Sequence, residues 1–211
     1  MKKEKNQNSV EEDFFAPPVP PPKKESSISY DSKHLSKRIK KKFNKLESEK
    51  IKPIFLKCDR CDEVILIPIP REPIIKSKKK ELLITDVHRS KKKDEIHGII
   101  FELDLAFNVI YPKSTDVIIS SINDGKGGKS EEEASIRYTL VPCKRCNNTI
   151  NIPVPKKIIE KSKLPKIPVA FVHENDDDED LHCIIAYLDK NFGDRAVRLA
   201  DILIYFGFPF W

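Results

Sequence analysis

The feature that most constrains this chain is that it writes one stretch twice. Shifting the sequence by 85 positions lays residues 51–119 on residues 136–204 without a gap, and 22 of the 69 aligned pairs are identical. Cys58 and Cys61 fall on Cys143 and Cys146, His88 on His173, and His97 on His182. Pro68 and Pro70 fall on Pro153 and Pro155, Asp104 on Asp189, Phe107 on Phe192, and Asp116 on Asp201. Both C-x-x-C pairs and two histidines survive in each copy. The chain is therefore a tandem duplication of a small unit that carries metal-ligand residue types.

Units of about 70 residues are marginal as independent hydrophobic cores, so a metal staple or mutual packing is expected. The repeat divides the 211 residues into a Pro-rich arm (1–30), a basic amphipathic helix (31–50), a first repeat (51–120), a linker (121–135) and a second repeat (136–211). The formal net charge of +6 is unevenly distributed. Residues 1–50 carry 13 Lys/Arg against 8 Asp/Glu, whereas residues 127–211 carry 12 against 13. Attraction to a polyanion would reside in the N-terminal segments, because the duplicated core is close to neutral.

The first residues, Met1-Lys2-Lys3-Glu4-Lys5, lead into polar sequence without the apolar stretch of a secretory signal, and no apolar run is long enough to span a bilayer. These features predict a cytoplasmic chain in which five cysteines serve as thiols or metal ligands rather than disulfides. Five prolines within residues 17–22 favour polyproline II. Pro18, Pro21 and Lys23 match a P-x-x-P-x-basic ligand pattern, with a stiff spacer as the alternative. Asp31 or Ser32 can cap a helix with Leu35, Ile39, Phe43 and Leu46 on one stripe. Lys37, Arg38, Lys40, Lys41, Lys42 and Lys45 occupy its other faces, as a phosphate-binding surface or simply as a solvated one.

The linker contains Gly125-x-Gly127-Gly128-Lys129-Ser130, which lacks the spacing of a phosphate loop and is followed by three glutamates. Nucleotide binding there is excluded. Within each repeat, a β-rich stretch delivers the C-x-x-C and a second strand returns from it. The paired prolines mark that second strand as a sheet edge. A hairpin follows, flanked by His88 and His97, or by His173 and His182. Asp104 and Asp189 are placed to form side-chain-to-backbone turns with Phe107 and Phe192 packed beneath. The final strands begin at Asp116 and Asp201. The predicted fold is mainly β: two small antiparallel modules preceded by one helix.

Two cysteines two residues apart at a hairpin tip direct their sulfurs to one centre. Over residues 57–70 and 142–155 this resembles the knuckle of zinc-ribbon proteins, in which strand, C-x-x-C and returning strand hold half of a tetrahedral zinc site. The resemblance implies a zinc-ribbon-like module and a role in the interactions of proteins or nucleic acids. Asp62 and Asn147 stand where the knuckle usually has glycine, and both types tolerate a left-handed backbone.

Two ligand sets remain open. In the first, two zinc ions are each held by two Cys and two His: Cys58, Cys61, His88 and His97, then Cys143, Cys146, His173 and His182. In the second, the four cysteines share one ion. Thiol redox chemistry at C-x-x-C is a third possibility, disfavoured because a proline-rich strand follows the motif where oxidoreductases open a helix. No catalytic set stands out, so the expected role is a non-catalytic zinc-binding adaptor with a protein partner. Nucleic-acid binding through residues 32–50 is the alternative. The hairpin loops Arg89–Lys93 and Glu174–Asp178 carry opposite charge, which suggests contact between units or self-association. The aromatic C-terminus, residues 205–211, is expected to complete the core of the second unit.

Overall fold

The structure is a computed structural model that describes residues 37–90, 94–120, 135–175 and 180–210. The Pro-rich arm with Pro18, Pro21 and Lys23, the helix cap, most of the linker, both charged loop tips and Trp211 lie outside these residues. The described chain is mainly β. Helix α1 (Lys37–Leu46) precedes the first repeat. Strands β1 (Ile51–Cys58) and β2 (Glu63–Pro70) form a two-stranded antiparallel ribbon, and β6 (Ile136–Cys143) and β7 (Asn148–Pro155) form its counterpart. Short helices α2 (Arg71–Lys76) and α3 (Lys156–Lys161) follow the ribbons.

These two short helices were not anticipated from the sequence. Each begins directly after the second strand proline, with Pro70 or Pro155 in an extended conformation at the N-cap. Proline cannot continue the strand ladder but is compatible with a helix start, so the same residue ends one element and opens the next.

The expectation of two separate small modules is corrected by the sheet. Strands β3 (Glu81–Arg89), β4 (Ile96–Asp104), β5 (Val109–Ile119), β8 (Ile167–Glu174), β9 (Leu181–Leu188), β10 (Asp194–Leu199), β11 (Ile202–Tyr205) and β12 (Phe208–Phe210) share a single sheet. Its order is β10-β9-β8-β5-β4-β3-β11-β12. The end of β5, from the first repeat, pairs in parallel with β8 of the second (Asp116 opposite Val169). Reciprocally, β11 of the second repeat pairs in parallel with β3 of the first (Ile202 opposite Ile84). Each repeat thus donates its last strand to the other.

That exchange curls the sheet back on itself. Strand β10 pairs with β9 and leads directly into β11, which pairs with β3. At the handover, Ala200 N–H donates to the Cys183 carbonyl (3.0 Å) and Asp201 N–H to the Leu83 carbonyl (2.7 Å). Strands β3, β4, β5, β8, β9 and the β10–β11 segment therefore close into a ring of six. Such closure removes the exposed edges that two separate modules would carry.

The side-chain period of two along each strand then fills two layers at once. Leu83, Val87, Ile100, Ala170, Val172, Cys183, Ile185 and Leu203 form an interior core drawn from both repeats. The alternate residues Leu82, Ile84, Ile99, Phe101 and Leu103 face outward onto the first ribbon, joined by Ile202 and Ile204. Ile167, Val169, Phe171, Ile184, Ala186 and Leu188 do the same for the second ribbon. Gly98 lies where strands approach closely, since a Cβ there would sit 2.9 Å from Val117 Cγ2.

The aromatic C-terminus is a further correction. Of residues 205–211, Tyr205 packs against the interior core, Phe206 and Phe208 are 41% and 69% exposed, and β12 lies against β2 of the first ribbon rather than on the second. The reason is the strand exchange, which carries β11 across to β3.

The loops after β4 and β9 match the sequence reading. Asp104 Oδ1 accepts from the N–H groups of Ala106 and Asn108, and Asp189 Oδ1 from those of Asn191 and Gly193. Phe107 (φ 65°) and Phe192 (φ 66°) take the left-handed conformation that turns the chain and packs each ring against its core.

Candidate metal centres

Each ribbon places its two cysteines over the end of the hairpin beneath it. The register Cys58 opposite Glu63 and Cys143 opposite Asn148 leaves a tight turn at the tip. Asp62 (φ 55°) and Asn147 (φ 52°) adopt there the left-handed conformation that glycine supplies in a zinc knuckle. Both positive-φ residues follow the second cysteine, so the turn points both sulfurs inward.

The histidines arrive from the barrel. His88 pairs with His97 across β3 and β4, and His173 with His182 across β8 and β9. Facing pairs put two imidazoles on one sheet face, and that face is the one the ribbon covers. The rings of His88 and His97 meet edge-on at 4.5 Å, and those of His173 and His182 at 4.2 Å.

The outcome is two clusters. Potential ligand atoms of Cys58, Cys61, His88 and His97 all lie within 4.8 Å of one another, as do those of Cys143, Cys146, His173 and His182. Cys61 Sγ is 3.7 Å from His88 Nε2. His182 Nε2 is 3.2 Å from both Cys143 Sγ and Cys146 Sγ, and His173 Nδ1 is 4.0 Å from Cys146 Sγ. A tetrahedral zinc with Zn–S of about 2.3 Å and Zn–N of about 2.0–2.1 Å sets its donor atoms roughly 3.3–3.8 Å apart. The observed sets need only small adjustment to meet that geometry. The four cysteines do not converge on a shared site; each pair has its own histidines.

The surroundings favour a bound cation. His97 is 1% exposed, yet neither ring nitrogen has a hydrogen-bond partner. Two buried, unsatisfied nitrogens are costly, and a metal ion is a natural partner for one of them. Burial alone would raise the Cys58 thiol, but hydrogen bonds from His88, the backbone N–H groups of Cys61 and Arg60, and Ser114 pull it down to about 6. Burial also opposes charge on His88 and pushes the Asp86 carboxyl up in turn, but bonding to Asp86 and to the neighbouring cysteines holds His88 up at about 10. Burial and the charge on His88 together push His97 down. In the metal-free state the first cluster thus pairs a Cys58 thiolate with a protonated His88, whose proton a bound zinc would have to displace.

A supporting layer was not read from the sequence. Asp86 Oδ2 lies 2.8 Å from His88 Nδ1, and His182 Nδ1 is 2.7 Å from the Asp180 carbonyl oxygen. Contacts of this kind fix which nitrogen faces the metal. An acidic residue two positions before a recurring histidine on the same strand was the available signal, since residues i and i+2 share a face. The arginine within each C-x-R-C also contributes: Arg60 pairs with Asp116 (2.6 Å) and Arg145 with Asp180, tying both knuckle tips to the barrel.

Cys183, the fifth cysteine, lies apart from both clusters in the barrel interior, where burial raises its thiol to about 12. It is an inert core residue. No described helix is long and apolar enough to cross a membrane. Comparison with protein-family models, with curated proteins and with solved structures yields no match.

Proposed function

We propose that this protein is a non-catalytic zinc-binding interaction module whose two Cys2His2 centres fasten a pair of β-ribbons to a shared barrel. The observation that carries this reading is the convergence of two cysteines and two histidines in each repeat. Zinc would supply a structural cross-link, binding the assembled ligands and so contributing directly to folding free energy. Cys58 and Cys61 would hold it from the ribbon and His88 and His97 from the barrel, with the second set arranged alike. Four protein ligands close a tetrahedral shell, whereas catalytic zinc sites keep one position open. Seven of the eight candidate ligands are buried, which further supports a structural role.

In this reading the rigid body presents surfaces to a protein partner in the cytoplasm, with the Pro-rich arm as an additional contact. The test is metal loading. Zinc-loaded protein should retain its β structure, and a strong chelator should remove two equivalents and lower the unfolding temperature sharply. Retention of the full thermal stability after complete metal removal would overturn the proposal.

Nucleic-acid binding through residues 32–50 is the second reading. It is favoured by Lys37, Lys41 and Lys45, which are exposed and follow one another at intervals of four along α1. Arg38, Lys40 and Lys42 lie in the same helix. Binding to generic DNA or RNA should then weaken steeply with salt and disappear when residues 32–50 are deleted.

A further inference from the structure

The closed ring of strands has two ends, and the end away from the histidines holds a cavity. Leu83, near the start of β3, and Ile100, in the second half of β4, belong to the interior core. With Pro168 at the start of β8 they floor a cavity of about 170 Å³. Val87, Ala170, Val172, Cys183 and Ile185 pack the rest of the interior, so the cavity is confined to the barrel mouth. An apolar cavity of about 150 Å³ is enough to hold benzene, which sets the size of what fits here.

The rim is polar, and the duplication explains its layout. Lys113 stands opposite Ile100 and Arg198 opposite Ile185, so both side chains start from the inward face. They are 85 positions apart, and each repeat thus contributes one cation to the same opening. The acidic residue beside them is not duplicated. Glu102 Oε1 accepts from Arg198 Nη1 at 2.7 Å, whereas the second repeat has Tyr187 in the place of Glu102. One carboxylate therefore serves two cations, and Lys113 has no acidic partner among the described residues. The lining carries one uncompensated positive charge above an apolar floor.

A strained aromatic residue marks the same place. The pairing of β4 with β5 shifts register between Ile100 and Glu102, and in this bulge Tyr111 has φ 50°. A left-handed backbone is an outlier for so bulky a residue, and bulges re-aim side chains beside functional sites. Tyr111 lines the cavity together with Tyr187. Its equivalent in the second repeat is Ala196, which has no positive φ.

We propose that the barrel mouth binds a small monocarboxylate whose apolar body is about the size of one aromatic ring. The body rests on Leu83, Ile100 and Pro168 beside the two tyrosines, and the carboxylate accepts from Lys113 Nζ. One uncompensated charge matches a monoanion rather than a phosphate dianion, and a charge-assisted hydrogen bond fixes its orientation. None of these residues is a candidate metal ligand, so the site stands whether or not zinc is bound.

The experiment titrates the full-length chain with benzoate and follows backbone amides by ¹H–¹⁵N NMR. Saturable shifts should appear at Leu83, Ile100, Glu102, Lys113 and Tyr187, with a Kd of about 1 mM or tighter. Benzyl alcohol and benzylammonium, of similar size but without the negative charge, should bind at least about 10-fold more weakly. Lys113→Met keeps the apolar stem at an exposed position and should weaken benzoate by a similar factor, while Lys78→Met, an exposed lysine away from the cavity, should leave it unchanged. Absence of saturable shifts up to about 10 mM benzoate, shifts confined to residues outside the mouth, equal binding of the uncharged or cationic probe, or unchanged affinity in Lys113→Met would each overturn the proposal.

Discussion

Replacing His97 by leucine should change stability in opposite directions depending on whether metal is bound. In the metal-free protein His97 is a buried imidazole with neither nitrogen hydrogen-bonded. An unsatisfied buried polar group costs about 1–3 kcal/mol, so an apolar side chain of similar size should leave the metal-free protein no less stable, and up to that much more stable. With zinc bound, the same change deletes one of four ligands. Losing a supporting contact alone costs up to about 100-fold in affinity, so losing a ligand should exceed that, or more than about 2.7 kcal/mol. For a chain of this size that corresponds to a fall of roughly 5–11 °C in unfolding temperature. The assay is urea and thermal unfolding followed by circular dichroism, for wild type and His97→Leu, each with zinc and with chelator. The expected pattern is strong destabilisation with zinc and none with chelator. A variant more stable than wild type in zinc-replete buffer would refute the assignment of His97 as a ligand.

Other outcomes follow from the same structure. Gly98→Ala would bring a Cβ to 2.9 Å from Val117 Cγ2 and 3.1 Å from the Asp86 carbonyl oxygen, and should cost about 1–3 kcal/mol in denaturant unfolding. Truncation after Asp201 should destabilise the first repeat, because β11 pairs with β3; hydrogen exchange should show loss of protection across β3. The Asp104 carboxyl lies below its usual range, where burial opposes ionisation but bonds from Asn108 and Ala106 prevail. Asp189 is lowered by the backbone N–H groups of Gly193 and Asn191. Depressed folded values mean that their stabilisation is full above the unfolded carboxylate range and is lost as pH falls through the folded values, below about pH 4. Alanine at either position should flatten that acid limb of the stability curve, measured with chelator present throughout.

Much of the site was legible because its ligands obey local rules. C-x-x-C at a hairpin tip, a left-handed Asp62 or Asn147 after it, and histidines facing each other across a hairpin are all set by short-range geometry. The duplication then showed which residues belonged together. What sequence did not reveal was the partner of each final strand. Val117–Ile119 and Ile202–Ile204 read as apolar strands in either topology, since parallel pairing between distant segments leaves no periodic trace. The recurring aspartates at their starts were the sign of something special. Asp201 marks the handover, accepting from the Leu83 N–H at 2.9 Å, and Asp116 anchors Arg60. The apolar character of both faces of β3, β4, β8 and β9 was a second sign, because strands of an isolated small module would leave one face polar.

The central claim is that each repeat holds its own zinc with two sulfur and two nitrogen ligands. Elemental analysis of the purified protein combined with zinc X-ray absorption tests it most directly. The account predicts two zinc ions per chain and an average shell of two sulfurs near 2.3 Å and two nitrogens near 2.0–2.1 Å. A single zinc with four sulfur ligands, or a fully folded chain without metal whose four knuckle thiols titrate freely, would contradict it.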